Sequence, residues 1–206
     1  MRKKEELPRR LWHIFGGLCI PAGALLVAGD IFLPALISIT IAALIVEIVR
    51  LRSPRVNRRF VIVFRALLRE TEVSTLTGST YLFIASSIVF VLCDKSIAAV
   101  ALAFVVVGDP VAGMVGQRWG RLGAGSGKRS GYGVGDKSLE GSIACFAACL
   151  LVGVVLAAVT HVALWLVVLG AISATVMELL SLPVNDNLSA PLVAAGVMSV
   201  GDAIMV

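Results

Sequence analysis

Residues 96–117 read SIAAVALAFVVVGDPVAGMVGQ. As a helix rising about 1.5 Å per residue, this run is long enough to cross a hydrocarbon core of about 30 Å. It carries one charge, Asp109, towards its end. A carboxylate inside a span is costly, so an acid there is a functional-site candidate by default. Pro110 follows it and removes a backbone donor, which predicts a local opening of the helix. A glycine-rich basic stretch comes next, then Lys137-Ser138-Leu139-Glu140-Gly141 at the mouth of another apolar run. Carboxylates hold hard cations, while Lys, Ser and backbone N–H groups hold phosphates. The combination points to metal-assisted phosphate chemistry at a membrane surface.

The rest of the chain has the same character. It is 58% hydrophobic and 15% charged, with a mean hydropathy of +0.97, a balance foreign to soluble domains. The apolar runs predict an all-α integral membrane protein of about seven transmembrane helices, near 11–28, 31–49, 79–93, 96–117, 140–160, 163–181 and 187–205. Residues 1–206 read as a single polytopic domain. The first run is too long for a cleavable signal and lacks a small-x-small cleavage site. Cys19, Cys93, Cys145 and Cys149 lie in or at the ends of spans without a CxxC spacing, and read as small packing residues.

Basic residues set the expected orientation. Arg2, Lys3, Lys4, Arg9 and Arg10 precede the first run. Seven arginines from Arg50 to Arg69 follow the second, and Arg118, Arg121, Lys128, Arg129 and Lys137 follow the fourth. Only Lys95 falls on the other side. The positive-inside rule therefore places the N-terminus in the cytoplasm and the C-terminus outside; for a prokaryotic chain the membrane would be the inner or plasma membrane. The net charge of +5 reads as topology and headgroup attraction, not as nucleic-acid binding. Two long cytoplasmic loops result, about 50–78 and 118–138. In the first, Phe60, Val61, Val63, Phe64, Leu67 and Leu68 alternate with Arg58, Arg65 and Arg69 at helical spacing, which suggests an interfacial amphipathic helix. The second is too rich in glycine for a helix.

This topology, derived from basic residues alone, gathers nearly all acids and amides on one face. His13, Glu47, Arg50, Glu70, Glu72, Asp109, Lys137, Ser138, Glu140, Glu178, Asp186 and Asn187 converge there. Plainer readings stand beside the functional one. Glu47 and Arg50 can pair with each other, Glu178 can be solvated, Asp186 can cap the last helix, and His13 can bridge helices. Gly108, Ala112, Gly116 and Gly120 form a small-residue stripe suited to close helix packing. Gly131 to Ser138 nearly matches a phosphate-binding P-loop, but Asp136 replaces the second glycine and no βαβ context exists.

The residues resemble the CTP-dependent lipid and polyprenol kinase family, which includes dolichol kinase, phytol kinase and CTP-dependent diacylglycerol kinase. The matching elements are Arg9-Arg10-x-x-His13, Glu47-x-x-Arg50, Thr77-Gly78-Ser79-Thr80 and Gly108-Asp109-x-x-Ala112. They continue with Gly116-x-x-x-Gly120, Lys137-Ser138-x-Glu140-Gly141, Glu178-Leu179-Leu180 and Asp186-Asn187-Leu188, in family order over nearly the whole chain. Pro110 departs from the pattern, where relatives carry a small or hydroxyl residue.

The resemblance implies transfer of a nucleotide γ-phosphate, that of CTP, to a lipid alcohol such as diacylglycerol, polyprenol, dolichol or phytol. Catalytic candidates are Asp109, Lys137 and Glu140. Phosphate-binding candidates are Gly108, Lys137, Ser138, Gly141, Lys128, Arg129, Arg9 and Arg10. Asp109, Glu140 and Asp186 are expected to hold Mg²⁺, unless Asp109 is instead the base for the lipid hydroxyl. His13, Glu47, Arg50, Glu178 and Asn187 are further site candidates. A phosphatidate cytidylyltransferase is the nearest rival reading, although its signature, resembling P-G-H-G-G-x-x-D-R-x-D, is absent. A small transporter is the rival from another class, but its polar site would lie nearer the midplane.

Overall fold

The computed structural model describes residues 6–119, 137–180 and 184–205. Among the described residues the protein is all-α, with no strand. The helices are α1 (Glu6–Leu26), α2 (Gly29–Arg52), α3 (Pro54–Phe64), α4 (Gly78–Leu92), α5 (Lys95–Trp119), α6 (Leu139–Thr160), α7 (Leu164–Leu180) and α8 (Asp186–Met205). Each of the seven apolar runs lies on one of them. Four helices, α2, α5, α6 and α8, are long and apolar enough to cross a membrane. The apolar α4 and α7 have only 15 and 17 residues.

Local chemistry explains the boundaries. Asp94 accepts from the Ser96 N–H at 2.7 Å and starts α5. Thr77 and Ser138 accept from the N–H groups of Thr80 and Gly141 and start α4 and α6. At α8 the acceptor is Asn185, whose side chain takes the Asn187 N–H at 3.0 Å. Its carbonyl also accepts from Leu188 and Ser189. Asp186 is thus not the cap, and its carboxylate is directed elsewhere.

The first long loop is more ordered than a solvated linker. It holds α3 and a short 3₁₀ turn over Glu70–Val73. One expectation fails at Pro110. Helix α5 runs unbroken through it, because losing one backbone donor is tolerated when neighbouring helices clamp the chain.

Helix α5 is the central element. Of its most apolar stretch 72% is buried, against 17% for α2. It packs against α1, α6, α7 and α8. Phe104 fills the middle of this core. A Cβ at Gly153 of α6 or at Gly170 of α7 would lie 2.7 Å from its ring, so glycines on two helices make its seat. One turn on, a Cβ at Gly108 would meet Cys149 Sγ at 2.8 Å and Cys145 Sγ at 2.9 Å. The small-residue stripe therefore lets α5 and α6 approach closely, and both thiols act as packing groups. The starts of α1, α4, α6 and α8 and the ends of α2, α5 and α7 meet at one end of the bundle.

Candidate functional site

A cavity of about 350 Å³ opens at that end. Its walls differ in character. Helix α1 contributes Arg9, Arg10 and His13, α5 contributes Asp109 and Gly113, and α8 contributes Asn187. Phe60 and Phe64 of α3, with Leu67 and Leu68 after it and Trp12 of α1, add an apolar lining. Arg69 and Glu72 line it as well. The lining is therefore amphipathic.

Three features make Asp109 the reactive-looking group. Its side chain is a quarter exposed, and its ion pair is a loose one, with Arg69 Nη2 at 4.0 Å. It borders both this cavity and a small apolar-lined void shared with Glu178 and Asp186. On the facing helix α1, His13 Nε2 is buried without a hydrogen-bond partner. A polar atom buried without a partner is an exception that calls for an explanation, such as a bound ligand.

A network of buried, hydrogen-bonded polar groups adjoins the cavity through Phe60, Glu72, Thr77, Gly78 and Asn187. Arg50, wholly buried, donates from Nε to Glu47 Oε2 at 2.8 Å and from Nη1 to Asn57 Oδ1 at 3.1 Å. Its Nη2 donates to the Thr75 carbonyl at 2.6 Å, and its guanidinium stacks 4.8 Å from the Phe60 ring centre. Glu47 accepts from the Thr77 N–H and the Thr80 hydroxyl, each at 3.3 Å. Glu72 accepts from the N–H groups of Arg69 and Gly78, each at 2.8 Å. Asn187 Nδ2 donates to the Gly78 carbonyl at 3.1 Å. A Cβ at Gly78 would sit 2.6 Å from that Nδ2, so only glycine permits the contact. The plain reading of Glu47 and Arg50 is the observed one: they pair, and together they tie α2, α3 and the start of α4 to one another.

A second polar cluster stands beside Asp109. Lys137 Nζ donates to Glu178 Oε1 at 2.9 Å and lies 3.5 Å from Asp186 Oδ2. Ser142 donates to Glu178 Oε2 at 3.1 Å. Burial opposes the charge on Lys137, but the hydrogen bond to Glu178 and the charges of Glu178, Asp109 and Asp186 outweigh it. Its pKa is held above the ordinary lysine range. Glu178 is thus bonded, not solvated.

No family model, curated protein or solved structure matches this chain. The site therefore has to be read from its own residues. Asp109, Lys137, Glu178 and Asp186 stand together, and Arg9, Arg10, His13, Asp109 and Asn187 share the larger cavity. Glu140 lines neither space. Ser138 caps α6 and packs where a Cβ at Gly116 would fall, 2.8 Å from its Oγ. Gly141 faces the Ala112 carbonyl, and Gly108 faces the two cysteines. Lys128 and Arg129 lie outside the described residues. Arg69 is among the lining residues that sequence reasoning did not name as site candidates. Its spacing marks an amphipathic segment, and only folding of the 54–77 segment brings it to Asp109.

Proposed function

We propose that this chain is a multi-pass membrane lipid kinase, transferring the γ-phosphate of a nucleotide to a lipid alcohol at the cytoplasmic face. The observation that carries the reading is the amphipathic cavity. Its lining combines arginines, a carboxylate and a histidine whose Nε2 lacks a partner with aromatic and leucine side chains. A substrate with a polar hydroxyl end and an apolar body suits such a lining. CTP as donor, and diacylglycerol, polyprenol, dolichol or phytol as acceptor, rest on the family resemblance. Seven spans and a cytoplasmic N-terminus rest on the positive-inside pattern.

In the proposed reaction the lipid oxygen attacks the γ-phosphorus. The new O–P bond forms as the bond to the β-phosphate oxygen breaks, and the nucleoside diphosphate leaves. The hydroxyl proton passes to a carboxylate. Asp109 is either that base or a metal ligand. Arg9, Arg10 and Lys137 neutralise phosphate charge, the main demand of phosphoryl transfer.

Among the described residues no group of three His, Cys, Asp or Glu side chains is placed to hold a metal ion alone. Mg²⁺ ordinarily takes one or two carboxylates and completes its shell with phosphate and water. In this reading Asp109 and Asp186, which border one small and mostly apolar void, are the carboxylates that would hold it, and Glu140, which lines neither space, would not. Bound with the nucleotide, Mg²⁺ would neutralise charge developing on the phosphates.

The test is direct. Purified protein in mixed micelles receives Mg²⁺, γ-labelled CTP or ATP, and each lipid alcohol in turn. Label in the lipid phase is the expected result and names donor and acceptor together. Release of pyrophosphate instead would mean a cytidylyltransferase. Neither product, with solute movement across sealed vesicles, would mean a transporter.

A further inference from the structure

We infer that the outward face of α3 is a docking surface for anionic phospholipid of the bilayer that carries the protein. The surface stands on its own observations, and only its link to activity rests on the kinase reading. Helix α3 follows α2 after one extended residue, Ser53. Because α2 is long and apolar enough to cross a membrane, its end delivers α3 to the membrane surface.

At 100° per residue α3 has two faces. The inner one is engaged. Asn57 donates to the Val73 carbonyl at 2.9 Å and accepts from Arg50, and Phe60 and Phe64 line the cavity. The outer one carries Arg55, Arg58 and Arg59 interleaved with Val56, Ile62 and Val63. Ile62 and Val63 are 67% and 73% exposed. No acid occurs between Glu47 and Glu70, and among the described residues none of these three arginines meets one. Exposed Ile and Val do not suit a face turned to water. Alternated with guanidiniums, they suit the headgroup layer, where apolar side chains dip in and arginines bind lipid phosphate. Continuity with a spanning helix favours the bilayer over a soluble acidic partner. The same short helix carries the cavity's aromatic wall on its other face, so docking positions Phe60 and Phe64.

The test uses the full chain in vesicles of phosphatidylcholine with or without phosphatidylglycerol. A fluorophore is placed at Val63→Cys in a Cys19→Ala, Cys93→Ala background, since Cys145 and Cys149 are buried. Quenching by brominated lipid is compared with quenching by aqueous iodide. The expected result is lipid quenching that increases with phosphatidylglycerol and reverses in high salt. Arg58→Gln and Arg59→Gln should each weaken that preference about fivefold. Iodide quenching that is strong and equal in both vesicles would overturn the proposal, as would lipid quenching indifferent to phosphatidylglycerol and to both substitutions. Phosphate transfer measured on the same samples separates the two readings. A lipid-dependent probe without transfer keeps the docking surface and defeats the kinase. Transfer equal in both vesicles, with a responsive probe, removes the link between docking and activity.

Discussion

Two acid-rich clusters share one end of the bundle, and they differ in how completely their carboxylates are satisfied. Around Arg50, Glu47 and Glu72 are buried and each accepts from at least two donors. Around Lys137, Asp109 keeps a loose 4.0 Å pair and stays partly open to the cavity. A buried charge with a full complement of donors has no capacity left for a substrate, and removing its partner costs stability. A carboxylate with spare acceptor sites, across from a histidine whose Nε2 lacks a partner, is available for chemistry. By that measure the first cluster belongs to architecture, as does Glu178 with its bonds from Lys137 and Ser142, and Asp109 is the acid left for function.

The largest expected effect tests the functional side. Asp109→Asn should lower turnover by roughly 10²–10⁴-fold while leaving the thermal midpoint in detergent unchanged. Full activity would remove Asp109 from the site. The structural side is broken by Arg50→Ala. It strands Glu47, and should cost about 3–5 kcal/mol, seen as loss of monodisperse protein on size exclusion. Normal folding with lost activity would move Arg50 into the functional cluster.

Smaller changes sharpen the boundary between the clusters. Asn187→Ala leaves the buried Gly78 carbonyl without its side-chain donor and should cost about 1–3 kcal/mol, read as a lower midpoint with residual turnover. The smallest effect is a pH dependence. With its pKa raised by Glu178 and the neighbouring acids, Lys137 contributes stability that is full below the ordinary lysine value of 10.5 and is lost as pH climbs through its higher folded value. Lys137→Gln should therefore flatten the alkaline fall of the thermal midpoint. An unchanged alkaline limb would show that the Lys137–Glu178 pair does not form.

Much of this was legible in the chain. The apolar runs matched helices because burying backbone polar groups in lipid leaves few other options. The amphipathic spacing of Phe60, Phe64 and Arg58 announced α3. Asp109 stood out because an acid in an apolar run has few bland explanations. Other features were not legible. Pro110 reads as a break in isolation, yet α5 continues, because its neighbours hold it. Glu140 and Glu178 look equally suitable as text, but α7 brings Glu178 to Lys137 at 2.9 Å, whereas Glu140 lines neither space.

Composition and periodicity alone determined the all-helical, membrane-embedded class, because transfer free energy depends on which side chains a helix presents and not on its partners. The gathering of polar groups at one end also followed from sequence, since basic residues mark the loop side. Only the tertiary structure decided which acids are spent on holding the fold and which remain open. That depends on distances of a few ångströms between helices far apart in the chain, such as Lys137 to Glu178 at 2.9 Å, and side-chain spacing along one helix carries no record of them.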